Sequence, residues 1–211
     1  MIEVAGEDER RSYFSVGELA VLAFTLLYTA LWLAASLWMG NREFLFYVAV
    51  MGVLIVIVSL LHLRVRFHEA ALWGLAIWGL LHMAGGLMPI PAWWPRKGES
   101  RVLYNLWLVP DWLKYDQAIH AFGFGLVTWI CWQGLRRAFQ WQGTDVRPSL
   151  GLLTLCLFAG MGLGAVNEVV EFAATLLLPG TNVGGYLNTG WDLVANLVGC
   201  VIAAAAIRAW G

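Results

Sequence analysis

Long apolar runs alternate with short polar breaks along most of the chain. Six of them, at roughly 18–39, 44–63, 67–87, 116–135, 149–178 and 189–210, are nearly free of charge. Each reaches the roughly 20 apolar residues that an α-helix needs to cross a hydrocarbon core. The pattern therefore predicts an all-α fold, a polytopic membrane protein built as a bundle of six transmembrane helices. With no internal repeat and no low-complexity tract, residues 1–211 read as one transmembrane domain. The opening MIEVAGEDERRSYFS mixes acids with Arg10 and Arg11, unlike the cationic start of a cleaved signal, so the first helix is expected to stay as an anchor.

Two connections stand apart from the short ones. Residues 88–114, MPIPAWWPRKGESRVLYNLWLVPDWLK, are rich in Pro and Trp, which suits a segment lying along the membrane interface. Residues 179–190, PGTNVGGYLNTG, carry no charge and four glycines, a composition fitted to a mobile loop or lid. Lys and Arg are unevenly divided between the two ends of such a bundle. Arg10, Arg11, Arg64, Arg66, Arg136, Arg137, Arg147 and Arg208 fall on the amino-terminal side, against Arg42, Arg96, Lys97, Arg101 and Lys114 on the other. The excess predicts that both termini are cytoplasmic, in a cell inner (plasma) membrane.

Composition removes some functions. At 60% hydrophobic and 13% charged residues, with a net charge of -1, the chain has no broad basic surface, so nucleic acid is not an expected partner and membrane lipid is. Cys131, Cys156 and Cys200 lie inside apolar runs at spacings that match no metal or redox motif, and read as small core residues. There is no P-loop, GxSxG or HExxH, and no lysine inside a span to form a Schiff base.

The ionisable residues left inside the spans carry the functional signal. Each is unfavourable at a helix centre by roughly 2.5 to 3.5 kcal/mol on insertion scales. His82 comes late in the third helix; Asp116 and His120 open the fourth; Glu168 and Glu171 come late in the fifth; Asp192 opens the sixth, with Asn167 and Asn196 beside them. Helices three and five run outward and four and six inward, so all these groups converge on the outer half of the bilayer. Asp116/His120 and Asp192/Asn196 are spaced i, i+4 and Glu168/Glu171 i, i+3, which puts each pair on one helix face. Gly160 and Gly164, and Gly85 and Gly86 after His82, favour close helix approach. Helices one and two read as scaffold, His62 and His68 as interfacial residues, and Glu18 and Glu69 as acids that favour helix starts.

These spacings resemble those of the VanZ-like membrane proteins: D-x-x-x-H at Asp116 and His120, E-x-x-E at Glu168 and Glu171, and D-x-x-x-N-x-x-G at Asp192, Asn196 and Gly199. With LHMAGG at 81–86 the chain is closest to the YjdF-like inner-membrane proteins within that group, over roughly residues 80–200. It has Glu171 where VanZ-like chains more often have Gln, and LNTGWD lacks an acidic residue expected of a YjdF-like loop. The resemblance implies a cell-envelope setting and little about mechanism.

Three readings of the cluster fit the sequence. His82, Asp116, His120, Glu168, Glu171 and Asp192 form a ligand set for a divalent metal, Zn or a di-metal carboxylate site, serving a hydrolase or transferase on a lipid or lipid-linked envelope precursor. Without metal, the same groups would move protons in a transporter or permease of a small solute. As the third reading, they form a structural hydrogen-bond network in a non-catalytic scaffold. Under the first, Glu168, Glu171, His120 and Asp192 are the expected catalytic residues, His82 and Asp116 follow, and Asn167 and Asn196 support them.

Overall fold

Each apolar run winds into one α-helix whose ends are fixed by local caps. The computed structural model describes residues 14–210, so Arg10 and Arg11 of the charge count lie outside the described residues. Helix α1, Val16–Met39, starts at a reciprocal cap: Ser15 Oγ accepts from the Glu18 amide and the Glu18 carboxylate accepts from the Ser15 amide. It ends where Gly40 turns left-handed (φ 63°), a conformation a side chain resists, and the chain re-enters α2, Arg42–Val65, one residue later. Asn41 caps α2 by accepting from the Phe44 amide. Helix α3 spans Glu69–Leu87, α4 Tyr115–Trp141, α5 Leu150–Leu177 and α6 Tyr186–Trp210.

All six helices are long and apolar enough to cross a membrane. Helix α4 continues past 135 to Trp141, since Arg136 and Arg137 are good helix formers and no breaker occurs before Gly143. Helix α6 starts at Tyr186, so YLNTG is helical and the connection from α5 is only 178–185. Large side chains such as Leu27, Val53, Phe158, Phe172 and Ile202 point outward, the inverse of a water-soluble fold and the arrangement that places hydrocarbon against lipid.

Segment 88–114 is more ordered than an interfacial strap. Backbone bonds Ile90 N to Arg101 O, Lys97 N to Asn105 O and Trp107 N to Pro95 O fold it on itself. It contains a short antiparallel pair, β1 (Trp107–Val109) and β2 (Leu113–Lys114). Trp93 and Trp112 are exposed, whereas Ile90 is buried and the Tyr104 ring lies against Gly85 at the end of α3. The segment thus forms a cap over one end of the bundle, called the loop face below.

Helices α4 and α6 approach most closely, backbone to backbone. A Cβ on Gly125 would stand 3.1 Å from the Gly199 carbonyl, and one on Gly199 would collide with the carbonyl of Ala121. Helix α5 closes on this pair through Gly160, against Thr128 and Cys200, and Gly164, against Asn196. Away from the loop face the space between the three helices is filled by Trp132, Leu153, Cys156 and Ile207. Cys156 and Cys200 are buried and Cys131 is partly so, all as free thiols.

His62 is not interfacial, as its neighbouring arginines suggest, but 1% exposed, with Nε2 3.0 Å from Glu18 Oε1 and its ring stacked on Phe14. The pair ties the start of α1 to the end of α2 at the face opposite the loop face, so a buried contact joins Glu18's role at the helix start.

Gly199→Ala is expected to destabilise the protein by about 2 kcal/mol by forcing α4 and α6 apart. Gly162→Ala, on a mid-helix position with open space around it, is expected not to lower stability. Thermal unfolding of the two variants in detergent checks the difference.

Candidate functional site

The polar residues of the spans gather at the loop face because each lies within a few turns of a helix end there. At the start of α4, Asp116 and His120 lie one turn apart and are both buried. From α6, Asp192 and Asn196 face them, again buried and one turn apart. Glu168 reaches in from α5 and is buried, Glu171 is partly buried, and Val166, Val169 and Phe172 of that helix are exposed. The i, i+4 and i, i+3 faces inferred from spacing are therefore the inward faces.

His120 is the centre of the cluster. Its Nδ1 lies 3.1 Å from Asn196 Oδ1 and 3.8 Å from Glu168 Oε1, and its Nε2 lies 3.8 Å from Asp116 Oδ1. An amide oxygen only accepts, so in the neutral ring Nδ1 donates to Asn196 and the lone pair is on Nε2, facing Asp116. Asn167 Nδ2 donates to Glu171 Oε1 at 3.1 Å. Both Glu168 oxygens and Asp192 Oδ1 are buried without a hydrogen-bond partner among the described residues.

Two groups have the spacing of metal ligands. Asp116, His120 and Asp192 each present a donor atom within 4.8 Å of the others, and so do His120, Glu168 and Glu171. His82 belongs to neither. It lines a small cavity that Asp116 and Glu171 also border, with its ring 6.4 Å from that of His120 and 5.6 Å from that of Tyr104.

Several partners were not foreseen. Lys114, assigned to the loop by sequence, caps α4 and is buried; its Nζ donates to Asn188 Oδ1 at 2.7 Å and lies 3.5 Å from Asp116 Oδ2. Asn188 in turn donates to Asp192 Oδ2 at 2.6 Å and to Asp116 Oδ2 at 3.4 Å, which links α4 to α6. Residues 188, 192 and 196 form one i, i+4, i+8 stripe, a signal available in the sequence once the helix is extended to Tyr186. No comparable spacing marks Lys114.

Helix α2 is more than scaffold, because Glu43, Phe44 and Tyr47 line the cavity with Asp116, Glu171 and His82. The cavity measures about 60 Å³, room for an ion with a few waters. Its roof is Tyr104 from the cap and residues 182–184 from the α5–α6 connection, where the Asn182 amide donates to Glu43 Oε2 at 3.0 Å. Tyr104 OH donates to the His82 carbonyl at 2.6 Å. Burial first, and the nearby carboxylates of Asp116 and Glu171 second, hold its phenol well above the ordinary range, so it stays a neutral donor.

Six apolar spanning helices around a buried histidine and carboxylate cluster define a helical integral membrane protein with an intramembrane polar site, and lipid is its surrounding medium. The chain belongs to the family described as "Predicted membrane protein (DUF2238)", which matches residues 20–211. YjdF-like is a name of that family, so this part of the sequence resemblance holds, whereas the match gives no support to a wider VanZ-like grouping. No curated protein and no solved structure matches the chain.

Lys114→Met is expected to lower stability by about 3 kcal/mol, because it leaves Asp116 buried without its cation. Adding Asp116→Asn should restore most of the loss. Thermal unfolding of the single and double variants measures the coupling.

Proposed function

We propose that the cluster is a divalent-cation centre of a membrane-embedded hydrolase or transferase, with its donors in Asp116, His120 and Asp192. The observation that carries this reading is the convergence of those three buried side chains from α4 and α6 while Asp192 Oδ1 has no partner. Four carboxylates, Asp116, Glu168, Glu171 and Asp192, face a single ammonium at Lys114, and a cation would offset the excess. One histidine with hard oxygen donors suits Zn²⁺ or Mn²⁺. When bound, such an ion polarises an ester or phosphoester oxygen and makes water a nucleophile near neutral pH.

The residues around the donors fit the remaining roles. Glu168, buried 3.8 Å from His120, is the carboxylate assigned to accept the proton of an attacking water. Asn167 orients Glu171, and Asn196 fixes the His120 tautomer that leaves Nε2 available. A lipid or lipid-linked substrate would approach from the loop face, which is the outer face on the positive-charge count.

Two observations favour this over the other readings of the sequence. Trp132, Leu153, Cys156 and Ile207 fill the α4–α6 interior on the far side, which supports a one-sided site over a solute pathway. A purely structural network would be expected to satisfy all its own acceptors, and Asp192 Oδ1 has no hydrogen bond among the described residues.

Equilibrium dialysis with Zn²⁺ or Mn²⁺ followed by elemental analysis is expected to find about one ion per chain. Asp192→Asn and His120→Ala should lose it, whereas Glu168→Gln should retain the ion and lose turnover of phosphoester lipids. Wild-type protein that takes up no ion would refute the proposal.

A further inference from the structure

A second, wider pocket of about 450 Å³ opens beside the inner cavity at the loop face. The α1–α2 turn, Ser100 of the cap and residues 178–182 after α5 enclose it. Most of the residues that line it are polar: Asn41, Arg42, Glu43, Ser100, Thr181 and Asn182. Glu43 and Asn182 also line the inner cavity, so their 3.0 Å hydrogen bond forms the partition between the two spaces.

Charge and surroundings narrow the occupant. Glu43 is engaged by the Asn182 amide, while Arg42 is exposed and its guanidinium has no hydrogen bond or ion pair among the described residues. A free guanidinium beside hydroxyl and amide donors matches the oxygens of a phosphate. Immediately outside the pocket, Trp38 and Met39 at the end of α1 and Leu176 and Leu177 at the end of α5 are exposed, in the positions where acyl chains would run. A polar chamber at the end of the spans, bordered on two sides by lipid-facing apolar residues, has the division of an amphiphile. A soluble anion would have no use for the apolar border.

We propose that this pocket is a headgroup subsite for an anionic lipid, with Arg42 binding the lipid phosphate one hydrogen-bonded partition away from the inner cluster. The subsite deepens the cation-centre reading by naming its substrate class, and binding there does not need the ion. The Glu43–Asn182 bond has to open for the bound headgroup to reach Asp116, which gives the uncharged, glycine-containing 178–185 connection its role.

The test is binding of short-chain phosphatidic acid to the full chain in neutral detergent with EDTA present, followed by native mass spectrometry and titration. Phosphatidic acid is expected to bind more tightly than phosphatidylcholine of the same chain length. Arg42→Ala should weaken phosphatidic acid about tenfold, while Arg101→Ala, outside the pocket, should not. Arg42→Lys should retain part of the affinity. Asp192→Asn, which removes a donor of the cation centre, should bind phosphatidic acid like the parent, so failure of the cation reading alone would leave this result standing. Equal affinity for phosphatidylcholine, or no effect of Arg42→Ala, would overturn the subsite. Displacement by inorganic phosphate at concentrations comparable to the lipid would assign the pocket to a soluble anion and overturn the lipid.

Discussion

A carboxylate carried into hydrocarbon has no water to turn to, so whatever neutralises it has to come from the protein or from something the protein holds. That constraint organises the loop-face half of this molecule. Asp116 meets Lys114, Asp192 meets Asn188, and the side chain of Asn188 spans both pairs. Lys114 reaches this position only because it caps α4 at the end of β2, and Asn188 only because α6 begins at Tyr186. The polar chemistry thus depends on helix ends and their caps more than on the helix centres.

The remaining charge is distributed unevenly. Asp116 is surrounded by donors, whereas one oxygen of Asp192 has no hydrogen bond among the described residues and Glu168 has His120 only at 3.8 Å. His120 lies between the two, donating through Nδ1 to Asn196 and turning Nε2 toward the donor-rich side. A cluster that is satisfied on one flank and open on the other is directional, and the proposed cation and proton-acceptor roles divide along that line. The Glu18–His62 pair at the opposite face is a self-contained contact by comparison, and neither residue lines either cavity.

The six spans were legible in the sequence because length and hydropathy alone decide whether a helix can cross a bilayer. Inward faces were legible too, since spacings of three and four residues put Asp116 with His120 and Asp192 with Asn196. Glu43, Tyr104 and Lys114 were not, because nothing periodic links them to the spans; the cap and the α1–α2 turn bring them in through contacts distant in sequence. His62 was misplaced for the opposite reason. Its arginine neighbours suggest water, but a residue two positions from an arginine lies on the other side of the helix, and here it faces Glu18. The break before α6 was set too late, as Asn and Gly in YLNTG are weak helix formers that tertiary contacts of Asn188 override.

The contact between Gly125 and the Gly199 backbone has a mechanical meaning. With no side chains between them, α4 and α6 have no soft layer in which to slide, and a slip by one turn, about 5.4 Å, would separate Asn196 from His120. The alignment of imidazole, amide and carboxylates is therefore inherited from the main chain and not left to rotamer choice. The result is a stiff floor beneath the cap and the α5–α6 connection.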